Sequence, residues 1–316
     1  MDMSLEHTAR NNMTSRFIKN PSRGLVLGLD TEMCPVILYW IMGRSSGSKN
    51  RVIAYDNETD TAKIELAKSS DADTSLILYN AIREIYGNEY VVSNGDQTDT
   101  IIEALESRAL CDGNGFISNE ILPDIFFNAL RERYCEPDGP IFTPRISGFI
   151  HGLDDVAYLS LLRADPHQKN RWITAMKKCG KTVDDFKGDG VSDAEAVKAF
   201  RDFVDRYSDR GEGDQLYHND FPTIRSTFEL PLHPGFGYCL TTYKPLRPKE
   251  LPSFDGEPFA LPIEGKSMRE IMLPFWGGLE SEWRVSMIGK RIIDEDESEI
   301  AIINKYGTST IDVCTR

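Results

Sequence analysis

Apolar residues along this chain fall into short runs of strand length, separated by polar turns and interrupted once, past the middle, by a charged stretch with helical spacing. Residues 24–28 (GLVLG) predict a first strand, and 36–42 (VILYWIM) an unbroken apolar strand that stops at Gly43. The apolar pattern resumes at Val52, Ile53 and Ala54, which predicts a hairpin across the intervening loop. A short strand follows at 62–66. In 75–87 (SLILYNAIREIYG) the apolar positions Leu76, Ile77, Tyr79, Ile82 and Ile85 fit helical spacing loosely, while 76–78 serve equally in a strand. Residues 90–93 read as a β-branched strand ending in Ser93, Asn94 and Gly95, and 100–110 as a helix. A second helix is predicted over 123–134, stopped by EPDGP, and strands over 143–150 and 155–163.

From 165 to 227 the pattern turns charged and helical. Ser192 and Glu195 have capping-box spacing, and Val197, Phe200, Val204 and Tyr207 repeat on one face, predicting a helix over 193–207. This segment reads as a helical insertion in an otherwise single domain spanning 1–316. Strands return at 226–230 and 236–243 (FGYCLTTY), whose alternation marks a half-buried sheet. Residues 244–262 carry five prolines and are predicted to be irregular. A helix at 268–275 and a strand pair at 284–293 and 299–305 close the chain, and the polar residues 1–15 are expected to be mobile.

Composition narrows the function classes. The 316 residues are 40% hydrophobic, enough for a substantial core. Fifty acidic residues against 36 basic ones give a net charge of -14, which excludes a general nucleic-acid or anionic-membrane binder. The first residues lack the apolar centre of a signal peptide and no apolar run is long enough to span a bilayer, so a cytoplasmic location is expected. The six cysteines contain no C-x-x-C pair and the five histidines no metal-ligand spacing, so neither a disulfide framework nor a zinc site is indicated.

Against the acidic background, the loop after 36–42 is unusual. Arg44, Lys49 and Arg51, with Ser45, Ser46, Ser48, Asn50 and two glycines, contain no acid and have what an oxyanion or phosphate requires. A solvated turn would use many of the same residues, so both readings stand at this point. The polar run SNGDQTD ends a strand, a common place for a ligand, and reads equally as an Asn-Gly turn with a helix cap. Residues 112–118 (DGNGFIS) have the outline of part of a calcium loop. Alignment on Gly115 puts Leu110 and Ile121 where carboxylates are needed, so the loop fails as a calcium site. Arg145 is either an anion contact or a surface ion-pair partner.

In this order and spacing, GRSSGSKNR, LYNAIR, VVSNGDQTDTI and TPRISGFI resemble the signature segments of the archaeal-type inosine monophosphate (IMP) cyclohydrolase family, in its longer bacterial form. The resemblance covers residues 24–163 most strongly and resumes around 235–243. It implies an α+β fold in which two packed β-sheets lie between helix layers, similar to N-terminal-nucleophile hydrolases but without their self-processed nucleophile. It also implies conversion of 5-formamidoimidazole-4-carboxamide ribonucleotide to IMP with loss of water, with a purine nucleotide as partner, no cofactor and no metal. A homo-oligomer is expected.

Carried onto this chain, the resemblance makes Arg44, Tyr79, Asn94 and Glu136 catalytic, with Asp138 the alternative carboxylate. It makes Ser45, Asn50, Arg51, Asn80, Ser93, Gly95, Thr98, Asp99, Thr143 and Arg145 substrate-binding. A divergent nucleotide-binding protein on the same scaffold is the second reading. An amidohydrolase using Cys34 or Cys239 is disfavoured because both sit in apolar strands with no nearby base.

Overall fold

A computed structural model describes residues 3–17, 23–69, 77–85, 89–112, 121–136, 138, 141–151, 155–167, 169, 173, 177, 180–187, 191, 195–196, 198–200, 202–203, 223–244, 251–294, 297–306 and 312–315. The first half contains α1 (Met3–Ser15), β1 (Gly24–Leu29), β2 (Pro35–Met42), α2 (Ser46–Lys49), β3 (Arg51–Asp56), β4 (Thr61–Leu66), β5 (Asn80–Glu84), β6 (Glu89–Ser93), α3 (Gln97–Asp112) and α4 (Leu122–Ala129). The second contains β7 (Arg145–His151), β8 (Val156–Ala164), β9 (Thr223–Pro231), β10 (Phe236–Thr241), β11 (Phe259–Pro262), α5 (Met268–Gly278), β12 (Arg284–Ile292), β13 (Ser298–Asn304) and β14 (Asp312–Thr315). Two antiparallel seven-stranded sheets result: one ordered β11-β10-β1-β2-β12-β13-β14, the other a meander from β3 to β9.

Side-chain alternation builds four layers. In β2 all eight residues are buried, because Tyr39 faces the second sheet while Trp40 faces the helices and meets Phe17 edge-on at 5.2 Å. In the second sheet Tyr90 and Val92 join the core between the sheets, whereas Val91 and Phe149 pack with Ile101, Leu105 and Phe126 of α3 and α4. Met268, Ile271, Met272 and Phe275 of α5 are buried with the first sheet. Gly148 permits close approach of the sheets, since a Cβ there would lie 2.8 Å from Leu27 Cδ1. The α+β sandwich with helices outside both sheets agrees with the expected architecture. No described helix is long and apolar enough to cross a membrane.

Several local expectations are corrected. The basic stretch is not a hairpin: β2 and β3 lie in different sheets, and residues 43–50 cross between them carrying α2. Both edges of β2 are already occupied, by β1 and β12, so β3 pairs with β4 instead. Gly43 is needed for this crossover because a Cβ there would sit 2.4 Å from Ser48 Cβ. Within residues 1–15, expected from sequence to be irregular, Met3–Ser15 form α1. Ala9 is fully buried, and Asn12 Nδ2 donates to the Ala260 carbonyl at 2.9 Å. Residues 244–262 are not wholly irregular, since Phe259–Pro262 pair with β10 as an edge strand whose last residue needs no donor.

The ambiguous 75–87 stretch resolves as a strand at Asn80–Glu84. The helix expected to reach Tyr134 stops at Ala129 and passes into tight turns. The charged segment ends before 227, because β9 already begins at Thr223. Residues 195–196, 198–200 and 202–203 are helical as predicted, while Ser192, Val197, Val204 and Tyr207 lie outside the described residues, as do 113–120 of the rejected calcium loop.

Candidate active site

The topology gathers several strand ends at one edge of the sandwich: Arg23 precedes β1, Met42 ends β2, Arg51 opens β3 and Thr143 precedes β7. A cavity of about 720 Å³ opens there. Arg44, Ser45, Ser48 and Arg51 line it from the crossover, and Glu136, Asp138, Ile141 and Thr143 from the turn before β7. Arg23, Met42, Gly43, Ile77, Tyr243 and Leu251 complete the lining. Three arginines thus face two carboxyls in a protein of net charge -14.

Arg23 ties the floor together. Its Nη1 donates to the Asn94 carbonyl at 2.8 Å and pairs with Glu136 Oε1 at 2.8 Å, while Nη2 donates to Glu136 Oε2 at 3.0 Å. One hydrogen bond and one ion-pair contact thus tie the carboxylate to Arg23, and buried Oε1 accepts no hydrogen bond from the described residues. Arg51 is 4% exposed, and its Nε donates to the Ser48 carbonyl at 3.1 Å. Burial, together with the Arg23 charge, pushes its pKa down. An anion entering the cavity relieves that electrostatic cost. Nearby, the Tyr39 and Tyr79 hydroxyls lie 2.6 Å apart in the core between the sheets. Burial and the neighbouring Tyr79 hydroxyl push Tyr39 well up, so it remains a neutral donor.

The turn before β7 is closed by Glu136 N–H donating to the Thr143 carbonyl at 2.8 Å. Thr143 donates to Asp138 twice, from N–H to Oδ1 at 2.6 Å and from Oγ1 to Oδ2 at 2.5 Å. The Tyr243 hydroxyl lies 2.7 Å from Thr143 Oγ1. Burial, then the charge of Glu136, raises the Asp138 pKa to about 7 despite the two Thr143 bonds. The two neighbouring carboxyls have different partners: Glu136 is held by Arg23, and Asp138 by Thr143.

Of the residues singled out from sequence, Arg44, Ser45, Arg51, Glu136 and Thr143 line the cavity; Tyr79 does not, but meets Tyr39 in the core behind it, within electrostatic reach of Arg51. The others are turned to different tasks. Asn50 clips α2 to the end of β4, donating to the Lys68 carbonyl at 2.7 Å and accepting from Lys68 N–H at 2.9 Å. Asn80 and Arg83 both donate to Asp99 Oδ1 at 2.8 Å. Ser93 Oγ donates to the Gly95 carbonyl at 2.9 Å and contacts Thr98 Oγ1. The Asn94 amide donates to the Pro144 carbonyl at 2.9 Å and accepts from Ile146 N–H at 2.7 Å.

Arg145 meets Asp96 and donates to Gln97 Oε1 at 2.8 Å. Burial pushes Asp96 up, but Arg145 and Arg133 outweigh it and leave the carboxyl below its ordinary range. SNGDQTD is thus a closed hydrogen-bond network at the start of α3. It touches the cavity through the Asn94 carbonyl and Arg23.

Sequence reasoning passed over Arg23, Tyr39 and Tyr243. A lone arginine before a first strand carries no local signal; its role comes from Glu136 and Asn94, far away in sequence. Cys34 and Cys239 are not in the lining. Burial pushes both thiols up, and nearby Asp30 adds to the effect at Cys34, which disfavours a thiolate nucleophile.

No curated protein matches the chain. A family model does, described as IMP cyclohydrolase-like protein and matching residues 21–196. That span is more than half of the 316 residues and contains Arg23, the crossover, the α3 network and the acidic turn. The chain belongs to the IMP cyclohydrolase-like protein family.

Proposed function

We propose that the protein is an IMP cyclohydrolase that closes 5-formamidoimidazole-4-carboxamide ribonucleotide to IMP with loss of water, on an N-terminal-nucleophile-hydrolase-like scaffold with no self-processed nucleophile. The observation that carries this reading is one cavity combining Arg44, Ser45, Ser48 and Arg51 with the carboxyls of Glu136 and Asp138, the latter raised to about 7 by burial and the Glu136 charge. The cationic crossover takes the phosphate, and the acidic turn takes the reacting ring substituents. A cavity of about 720 Å³ is of the size that encloses a small organic ligand.

In the reaction the carboxamide nitrogen forms a bond to the formyl carbon, and one of its protons passes to the formyl oxygen. The new hydroxyl then leaves as water with one further proton, as the adjacent ring-substituent N–H is given up to form the C=N bond. Holding both groups of one molecule in the reactive rotamer contributes about 7–11 kcal/mol in well-oriented cases. Acid–base help contributes about 10²–10⁴ in rate. Asp138 suits the proton transfers because its pKa lies at about 7, where either form is accessible. The Tyr79 hydroxyl, oriented by Tyr39, and the arginines stabilise the developing oxyanion. Asn94 contributes by holding Arg23 through its carbonyl, and Asn50, Asn80, Ser93, Gly95, Thr98, Asp99 and Arg145 support the walls.

Incubating the purified protein with the formamido nucleotide and following IMP by chromatography tests this reading. IMP formation faster than the protein-free control is the expected result. Thermal protection by IMP without turnover would instead identify a nucleotide-binding relative. Neither protection nor turnover would remove both.

A further inference from the structure

The charged segment 165–203 has no part in the chemistry above, yet its described residues build a small core behind the acidic turn. Phe142 is 1% exposed and packs in a cluster with Val183, Ala196 and Phe200. Phe186 extends that cluster, 5.8 Å from Phe200 and 5.3 Å from Phe203 between ring centroids. The backbone at Phe142 has φ of 53°, in the left-handed region that a bulky L-residue rarely adopts. Such a conformation persists where the surroundings over-determine it.

Both neighbours of Phe142 are tied as well. The Ile141 carbonyl accepts from Lys169 Nζ of the charged segment, and Ile141 N–H donates to the Asp138 carbonyl at 3.1 Å. On the other side, Thr143 gives its N–H and hydroxyl to the Asp138 carboxylate. The groups facing Asp138 are Glu136 and Cys135 of the same chain stretch, Arg23 before β1, Lys169 and, through Thr143, the Tyr243 hydroxyl.

We propose that the 165–203 segment is a positioning element for the acidic turn: its core grips the Phe142 ring and thereby holds the left-handed backbone that aims Thr143 at Asp138. Phe142 and Phe200 are positioning residues, and neither lines the cavity. Without the grip, the backbone at Phe142 relaxes to negative φ, Thr143 turns away, and Asp138 loses both donors and the shelter of the turn. The catalytic consequence rests on the cyclohydrolase reading, while the positioning claim does not.

The test is carboxyl NMR on the full chain labelled at aspartate, with Asp138→Asn assigning the resonance. Wild type is expected to titrate at about 7. Phe200→Ala, shown to be folded by circular dichroism, is expected to move that midpoint by about one unit or more toward the ordinary carboxylate range. Phe200→Leu is expected to restore it. In an active enzyme Phe200→Ala also lowers kcat about tenfold or more and shifts the pH profile, with KM within about threefold.

Phe142→Ala removes the ring while keeping the cost of an L-residue at positive φ, and serves where Phe200→Ala does not fold. An unchanged Asp138 midpoint in a folded variant overturns the proposal. Absence of turnover in wild type would sink the reaction assigned above and leave the midpoint as the deciding readout.

Discussion

Two clusters of buried charge lie between the sheets, near opposite ends of β3. At the Asp56 end, Lys290 and Asp60 are each 1% exposed and meet at 2.8 Å. Lys290 Nζ also lies 3.1 Å from Ser298 Oγ, while Asp60 accepts from the Tyr55 hydroxyl and, at 3.1 Å, from the Tyr90 hydroxyl. Glu84 Oε1 also accepts from the Tyr90 hydroxyl, at 3.3 Å, and none of these residues lines the cavity. At the Arg51 end, three arginines face two carboxyls around an open cavity. The difference is instructive because burial of charge is common to both. A closed cluster fastens the sheets, whereas an open cluster with surplus cation and a carboxyl raised to about 7 has the groups to receive an anion and move a proton.

Breaking the closed cluster should have the largest effect on stability. Lys290→Ala leaves Asp60 buried without its cation, with an expected loss of about 3–5 kcal/mol in urea unfolding. The paired change Lys290→Met with Asp60→Leu should lie closer to wild type. At the open end the effect should fall on ligand rather than on stability. Arg44 is exposed, so Arg44→Ala should shift unfolding by under about 1 kcal/mol. The same change should weaken IMP binding about tenfold or more by calorimetry.

A pH-dependent effect on stability belongs to Asp138. Its folded pKa of about 7 lies above the ordinary carboxylate value, so the folded state holds more protons than the unfolded state across that window. Stability should therefore decline as pH rises from about 4 to 7 and level off above, and Asp138→Asn should remove that slope. The smallest effect is expected at Asn50, whose side chain only clips α2 to β4. Asn50→Ala should cost about 0.5–1.5 kcal/mol, with KM within about twofold of wild type.

Much of the fold was legible where pattern and structure are both local. The unbroken run in β2 translates directly into an element; β10 forms a strand but is buried at five of its six positions, and α3 begins at Gln97, so Thr98 and Asp99 stand in its first turn. Pairing was less legible: β3 resumes the apolar pattern right after β2, and the saturation of both β2 edges by β1 and β12 depends on residues more than two hundred positions away. Helix α1 was hidden because its polar sequence buries little beyond Ala9 and Asn12.

At the site, the crossover was recognisable from charge against an acidic background. The SNGDQTD motif pointed to the right region through residues that mostly bond one another. Arg23 and Tyr39 became visible only when distant partners were brought to them. Asp138 could be named as a candidate from composition, but its distinction from Glu136 required knowing which carboxyl Arg23 holds.

The central claim is that the cavity end performs the ring closure, and turnover by wild type beside Tyr79→Phe tests it most directly. IMP should form from the formamido nucleotide with a chelator present, and Tyr79→Phe should retain the fold while losing about tenfold or more in kcat. Failure of wild type to form IMP above the protein-free rate, or equal turnover by Tyr79→Phe, would contradict the account.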